Sequence, residues 1–509
     1  SSSPSACPPF RGPRMGNGAS VGVAAAIGAA SAEDLRASLT SLPPELRLKL
    51  QAALSRREVT VRIPDHLAAG GSATLSPLDV ASMGRAVPMI WFYRESLDAD
   101  RLLSALRDTL VSYPVMCGRY DGKTPPRAIE LNNRGVPVQI SEETTPGLTL
   151  DGAVGRVPSS PSQTAPSSFE KDAHEAYIPA KEGMDPDAGS SEAPILKVKI
   201  TLFPAGGTAI GMLAQHSVVD AEAAVAFFRN WSRVFRGLDL DPKPNHERTL
   251  VNQLSSGSFA KGEKPANFKA RAVPPGEQVV PAFAPLMPKI NGTRTVAVPL
   301  SRGRLQEMTE AAKAEIAEGD YISLDDVLTA HVWQALVRMR CEQVGLTIDS
   351  EETTTLCRAF NIRRRTDPPL GAEYFANGAT QIFTELTVKA LCATSPSAVA
   401  RKLRASIGEH SSEETAALLQ WYRARHEEGC KTPLVFDKFA MTFVVSSWTG
   451  FDWEGVDFDA KPVCFDHGAL VPFVAVFTSR PQGDGVNVYT TGTHESTEHF
   501  SRLLTQSGS

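Results

Sequence analysis

The sequence is short of the features that assign a chain to a class at once. Lysine and arginine number 52 against 57 aspartates and glutamates, a formal net charge of −5. A nucleic-acid protein shows a basic excess or a basic stripe, and neither is present. The densest basic run, Arg363-Arg364-Arg365, is short enough to be a solvated face or part of an internal ion pair. Seven cysteines (Cys7, Cys117, Cys341, Cys357, Cys392, Cys430 and Cys464) are scattered, odd in number and free of any Cys-x-x-Cys pair. That spacing suits neither a structural zinc site nor a disulfide framework, so no metal site is expected and reduced thiols of a cytosol-like compartment fit best. No apolar run has the length needed to cross a bilayer. The longest, Val21 to Ala30 and Leu470 to Phe477, fall short, and the second reads as a buried strand.

What is there is an ordinary globular balance, 42% hydrophobic and 21% charged, spread over 509 residues. A chain of that length exceeds one compact core and implies two domains. Residues 1–30, rich in Ser, Gly, Ala and Pro with no acid before Glu33, read as a flexible leader or the remnant of a transit peptide. Translation begun at Met15 would expose Gly16-Asn17-Gly18-Ala19-Ser20, an N-myristoylation pattern. The compartment expected is therefore the cytoplasm, with a plastid as the alternative. Residues 31–236 form the expected N-terminal domain, 237–290 a crossover linker poor in periodicity, and 291–509 the C-terminal domain. Within the first domain, residues 144–193 are heavy in Pro, Ser, Gly and acids and read as a long mobile insertion.

Periodicity places the main elements. Strands are expected at Val59–Ile63 and Pro88–Arg94, then a helix from Asp98 to Val111 with Leu102, Leu103, Leu106 and Leu110 on one face. Leu196, Val198, Ile200 and Leu202 alternate with Lys197, Lys199 and Thr201, the mark of a half-buried strand, and Ala209–Leu213 returns beside it after a glycine turn. His216 follows. Asp220 then stands at the N-cap of a helix carrying Ala224, Phe227, Phe228 and Trp231 on one side. A second marked helix starts at Ser323, three residues before Asp326, as a variant capping box. Further strands are expected near residues 293–298, 356–361, 378–386, 441–447, 471–477 and 485–489. With no strict βαβ rhythm, the class is α/β with mixed sheets.

The chemistry is concentrated in Gln215-His216-Ser217-Val218-Val219-Asp220. Moving an acyl group from a thioester to an alcohol requires removal of the acceptor's proton as its oxygen attacks. An imidazole titrating near neutral pH suits that task, and a positioned base contributes roughly 10²–10⁴-fold. An aspartate four residues on can fix the turn that aims the ring, by capping the helix or by pairing with an arginine. Taken alone, His-x-x-x-Asp is also what an ordinary histidine beside an ordinary N-cap looks like.

Further segments, in order along the chain, change that weighting. Leu75-Ser76-Pro77-Leu78-Asp79 comes first, then Val111-Ser112-Tyr113-Pro114-Val115-Met116-Cys117-Gly118-Arg119. Ala330-His331-Val332-Trp333 lies in the Ser323 helix, ahead of Asn361-Ile362-Arg363-Arg364-Arg365 with Pro368-Pro369 and Tyr374-Phe375-Ala376-Asn377-Gly378. Ser447-Trp448 and Asp457-Phe458-Asp459-Ala460-Lys461-Pro462 close the series. Together with His216 and Asp220 these resemble the signatures of the BAHD acyltransferases, from about residue 74 to residue 505. The resemblance implies two similar domains of the chloramphenicol acetyltransferase-like type around a solvent channel, with His216 midway along it as the catalytic base. It implies acyl-coenzyme A as co-substrate rather than a tightly bound cofactor, and a small-molecule hydroxyl, or less readily an amine, as acceptor. The product is an ester of secondary metabolism, and the enzyme a monomer with no nucleic-acid partner. It also implies that Asp220 points away from substrate toward an arginine, for which Arg363 is the candidate, and that Asp457 is structural. Two departures stand out: Ala221 where the family has Gly, and an Asp457–Pro462 segment one residue short and without its Trp.

Other features have plainer readings. His494 and His499 are five apart, on different helix faces, and not a zinc-protease pair. His331 is either a core histidine or part of the coenzyme pocket, and Ser447, Trp448 and Trp453 either core or pocket wall. Ser217 lacks a Gly-x-Ser-x-Gly elbow, which favours direct transfer over an acyl-enzyme. A condensation-type domain fed by a carrier protein, with Gln215 where a first histidine would stand, and a scaffold that has lost its chemistry are the rival functions.

Overall fold

The computed structural model describes residues 56–156, 167–168, 176–181, 184, 191–254, 263–274, 294–317, 319–436, 441–468 and 473–505. The chain divides into two compact units, Ser1–Arg56 and Arg57–Ser509. The leader and the myristoylation pattern lie outside the described residues. Everything below concerns the second unit.

Two large mixed sheets organise it. The first contains β1 (Arg57–Val61), β2 (Ala86–Tyr93), β3 (Val136–Glu142), β4 (Leu196–Leu202) and β5 (Thr208–Gln215). The second contains β6 (Arg294–Ser301), β7 (Thr353–Asn361), β8 (Ala379–Thr387), β9 (Thr442–Ser447), β11 (Val474–Ser479) and β12 (Gly485–Gly492). A short strand from the second half, β10 (Cys464–Asp466), leaves its own sheet and pairs antiparallel with β2, so the first sheet runs β1-β3-β4-β5-β2-β10. The second runs β8-β7-β9-β11-β12-β6, with Ser167–Ser168 added at the β6 edge. Each sheet thus receives a strand from the other half of the sequence. Parallel pairs (β3 with β4, β7 with β9, β9 with β11) sit among antiparallel ones, the mixed class expected.

Burial explains the strand sequences. In β4 Lys197 and Lys199 are half-exposed and Leu196, Val198 and Ile200 buried, as the period demands, until the strand's end, where Thr201 is buried and Leu202 half-buried. β5, TAIGMLAQ, is buried at every position, because α2 (Ala221–Phe235) and the rest of the first core cover one face while Tyr177 and Ile178 cover the other. Gly211 is required there: a Cβ would sit 1.9 Å from the Tyr177 carbonyl oxygen. Part of the 144–193 segment is therefore packed on this sheet. Leu150–Arg156 is helical, and Leu150, Tyr177, Ile178 and Met184 are buried. A composition poor in periodicity hid a few apolar residues that dock on an otherwise bare sheet face.

The helix of Ala99–Leu110, α1, packs with α2 across the first sheet, where Trp91 stacks on Phe228 at 4.3 Å and the Trp231 indole donates to the Leu102 carbonyl. In the second half α3 (Leu324–Val344) forms the expected capping box at Ser323 and Asp326 and buries Trp333. Cations from elsewhere complete it, with Arg358 and Arg404 both on the Asp326 carboxylate. The segment Asp457–Pro462 docks on the first half. Phe458 is buried against Trp231, Phe235 and Tyr93, and Asp457 pairs with Arg236 at 3.4 Å.

Candidate active site

The site begins with register. β2 and β5 pair so that Ala86 faces Gln215, and the next residue, His216, donates its backbone N–H to the Arg85 carbonyl at 2.9 Å. The chain then turns through Ser217–Val219 into α2. Asp220 caps that helix by accepting from the Ala223 N–H at 2.9 Å. The five residues from His216 to Asp220 thus have a strand end behind them and a capped helix ahead, which fixes where the imidazole stands. His216 is partly exposed, whereas Ser217 and Gln215 are buried. The Ser217 hydroxyl is engaged with the Tyr120 phenol.

The second half supplies the partners. Arg363, just after β7, is bidentate on Asp220, Nη1 to Oδ2 at 2.8 Å and Nη2 to Oδ1 at 3.0 Å, and it also donates to the Ala376 carbonyl. The Gly378 N–H adds a further donor to Asp220 at 2.8 Å. Burial alone pushes the Asp220 carboxyl up, but Arg363 and these N–H groups outweigh it and hold it below the usual carboxylate range. The bonds of the Asp220 carboxylate go to Arg363, Ala223 and Gly378.

The ring itself is held by Asn377. The Asn377 Oδ1 lies 3.1 Å from His216 Nδ1, and its Nδ2 donates to the His216 carbonyl at 2.7 Å and to Asp79 Oδ1 at 2.8 Å. Asp79 is fully buried and pairs with Arg248, whose Nη2 also holds the Val218 carbonyl in the histidine turn. Burial, then the nearby Arg85 cation, push the His216 imidazole down to about 4, more than its own carbonyl, Asp220 and Asn377 restore. At neutral pH the ring is uncharged.

The other sequence-predicted residues divide. Ser447 lines a cleft of about 490 Å³ together with Glu222, Asp325, Asn361, Arg364 and Arg365. Trp448 packs on the first core with its indole N–H on Ser446 Oγ, and Trp453 is buried, stacked on Phe465 and bonded to Ser479 Oγ. Neither lines that cleft, nor does His331, whose pKa burial and then Arg304 push down to about 4. Asp457 stays at the docking of its loop, away from the histidine's bonds. His494 and His499 stand against different carboxylates, Glu498 and Glu342. Sequence reasoning assigned no role to Asp79, Asn377, Arg248 or Arg85. The first two lie inside quoted motifs, and a buried aspartate beside a capping serine was the signal available.

Comparison with known proteins follows the same lines. The family model described as "Transferase family" matches residues 168–503. Tryptamine benzoyltransferase 1 of Oryza sativa subsp. japonica is 24% identical over 469 residues, covering 87% of this chain and 95% of the relative. Shikimate O-hydroxycinnamoyltransferase of Nicotiana tabacum is 28% identical over 313 residues, 59% of this chain and 64% of that one. Among solved structures, vinorine synthase superposes with a TM-score of 0.62 at 19% identity, covering 87% of this chain and 95% of its own. F. graminearum TRI101 complexed with ethyl coenzyme A superposes with a TM-score of 0.65 at 16% identity, over 84% and 96%. A condensation domain from the polyketide synthase MokA shares the fold more distantly, with a TM-score of 0.52. Among the described residues no helix is long and apolar enough to cross a membrane. With the family match covering well over half of its length, the chain belongs to the Transferase family of BAHD acyltransferases.

Proposed function

We propose that the protein transfers an acyl group from a coenzyme A thioester to a small-molecule hydroxyl or amine, with His216 as general base and both substrates bound at once. The observation that carries this is the tether at Nδ1. Asn377 Oδ1 is an acceptor, so Nδ1 carries the proton and Nε2 keeps its lone pair. Nε2 takes the acceptor's proton as its oxygen or nitrogen attacks the thioester carbonyl. The tetrahedral intermediate then collapses, the C–S bond breaks, and the imidazolium returns the proton to the leaving thiolate.

Direct transfer is supported by the neighbouring hydroxyl being occupied elsewhere, on Tyr120. Acyl-coenzyme A as donor is supported by relatives such as TRI101, which was crystallised with coenzyme A. Arg364 and Arg365 are cations on the wall of a cleft that Glu222, Asp325 and Asp326 also line and His216 does not. The names of the relatives span both acceptor types, an amine in tryptamine benzoyltransferase and a hydroxyl in shikimate O-hydroxycinnamoyltransferase.

The test uses purified protein with a panel of acyl-coenzyme A donors against alcohols and amines. His216→Ala should lose roughly 10²–10⁴ in kcat. Because the ring's pKa lies near about 4, kcat/KM should hold level from neutral pH downward and fall only as pH approaches that value, where the base becomes protonated. A His216→Ala variant with full turnover sinks the assignment.

A further inference from the structure

The hydrogen-bond chain behind the histidine has a direction. An amide side chain can face either way, and its orientation decides whether Nδ1 meets an acceptor or a donor. The orientation of Asn377 is dictated from outside the ring. Asp79 Oδ1 accepts from both the backbone N–H of Asn377 (3.2 Å) and its Nδ2 (2.8 Å), and the His216 carbonyl accepts from the same Nδ2. A carboxylate and a carbonyl only accept, so the amide nitrogen must turn toward them and Oδ1 toward the imidazole. Asp79 is itself held on its other oxygen by the Ser76 N–H at 2.9 Å and Arg248 Nε at 3.1 Å. The anchoring pair is buried, with Asp79 at 0% and Arg248 at 3% exposure.

We infer that Asp79, through Asn377, is the positioning residue that keeps His216 in the Nδ1–H tautomer and so leaves Nε2 free to act as base. Arg248 serves the same end twice. It anchors the Asp79 carboxylate and, through Val218, the turn that carries the histidine. The inference deepens the proposed function and rests on its choice of base. Were the amide to flip, its N–H would point at Nδ1, the ring proton would move to Nε2, and no lone pair would face the acceptor.

Asp79→Asn tests it, because an amide at 79 can donate where the carboxylate cannot and so permits the flip. The full chain is labelled with ¹⁵N-histidine, and the His216 resonances are assigned by their loss in His216→Ala. In the parent, Nε2 should resonate as an unprotonated nitrogen. In Asp79→Asn part or all of that signal should move to the protonated position, and kcat should fall about 10–100-fold, the range typical of outer-shell partners, with KM for donor and acceptor unchanged. Should Asp79→Asn not fold, Asn377→Ala removes the amide while sparing the buried Asp79–Arg248 pair, and the same two changes are expected. An unaltered Nδ1–H tautomer with unaltered kcat in the folded variant overturns the inference. The NMR reading does not depend on which residue is the base, so full turnover by His216→Ala refutes the proposed function separately.

Discussion

Replacing Arg363 by Met removes the charge that neutralises Asp220 while keeping an unbranched, apolar side chain in its place. Both partners are buried, Arg363 at 2% and Asp220 at 4% exposure, so water cannot take over the lost bonds. Asp220 would keep only the N–H groups of Ala223 and Gly378. Removing one partner of a buried ion pair costs about 3–5 kcal/mol, because the other charge is left desolvated. That is a large share of the roughly 5–15 kcal/mol that holds a typical folded protein together. The loss must also depend on pH. In the parent, Arg363 holds the folded Asp220 below its unfolded value of about 3.9. The pair's contribution is therefore complete above that value and lost as pH falls through the depressed folded value. In Arg363→Met burial, the largest influence on this carboxyl, pushes it up against the Ala223 and Gly378 N–H groups alone. The folded variant then takes up a proton more readily than its unfolded chain and regains stability as pH falls from 7 toward 4. Urea unfolding of both proteins at pH 7 and pH 5 reads the difference: Glu222, which Arg363 also pairs at 3.2 Å, loses the same cation and shifts in the same direction, and the remaining common groups cancel. A gap below about 1 kcal/mol at pH 7, or one that does not shrink at pH 5, refutes the account of Asp220 as a charge locked by Arg363.

Two further substitutions probe how the site is held. Phe458→Ala empties a space bounded by Trp231, Phe235 and Tyr93 and should cost about 3–5 kcal/mol by urea unfolding; a loss under 1 kcal/mol would mean that the shortened loop does not anchor the halves through this ring. Gly211→Ala forces a methyl group onto the Tyr177 carbonyl and should expose the 176–178 segment to limited proteolysis, while an unchanged digestion pattern would show that β5 absorbs the methyl without releasing it.

Local patterns were readable and distant pairings were not, and the site contains both. The strand ending before His216, the Asp220 cap and the apolar face of α2 follow from alternation, a capping residue and helical spacing, all within one stretch of chain. The capping box at Ser323 is equally local. By contrast Asn377 reaches His216 across 161 residues and Asp79 across 298, and no periodicity encodes which aspartate meets which asparagine. Arg248 was harder still, sitting in a stretch read as linker from its prolines and glycines. Asp457–Pro462 lacks the tryptophan that the resemblance leads one to expect, yet its Phe458 docks an aromatic ring on Trp231. The distant pairings also show why such a site forms at all. Asp79 and Asp220, both from the first half of the chain, accept the consecutive backbone N–H groups of Asn377 and Gly378 from the second. Closing the two halves and aiming the imidazole are therefore one event, made by the same few bonds. The proposed base is assembled in this way only when the halves are joined, and any change that loosens the seam at 377–378 should lower turnover before it unfolds either sheet.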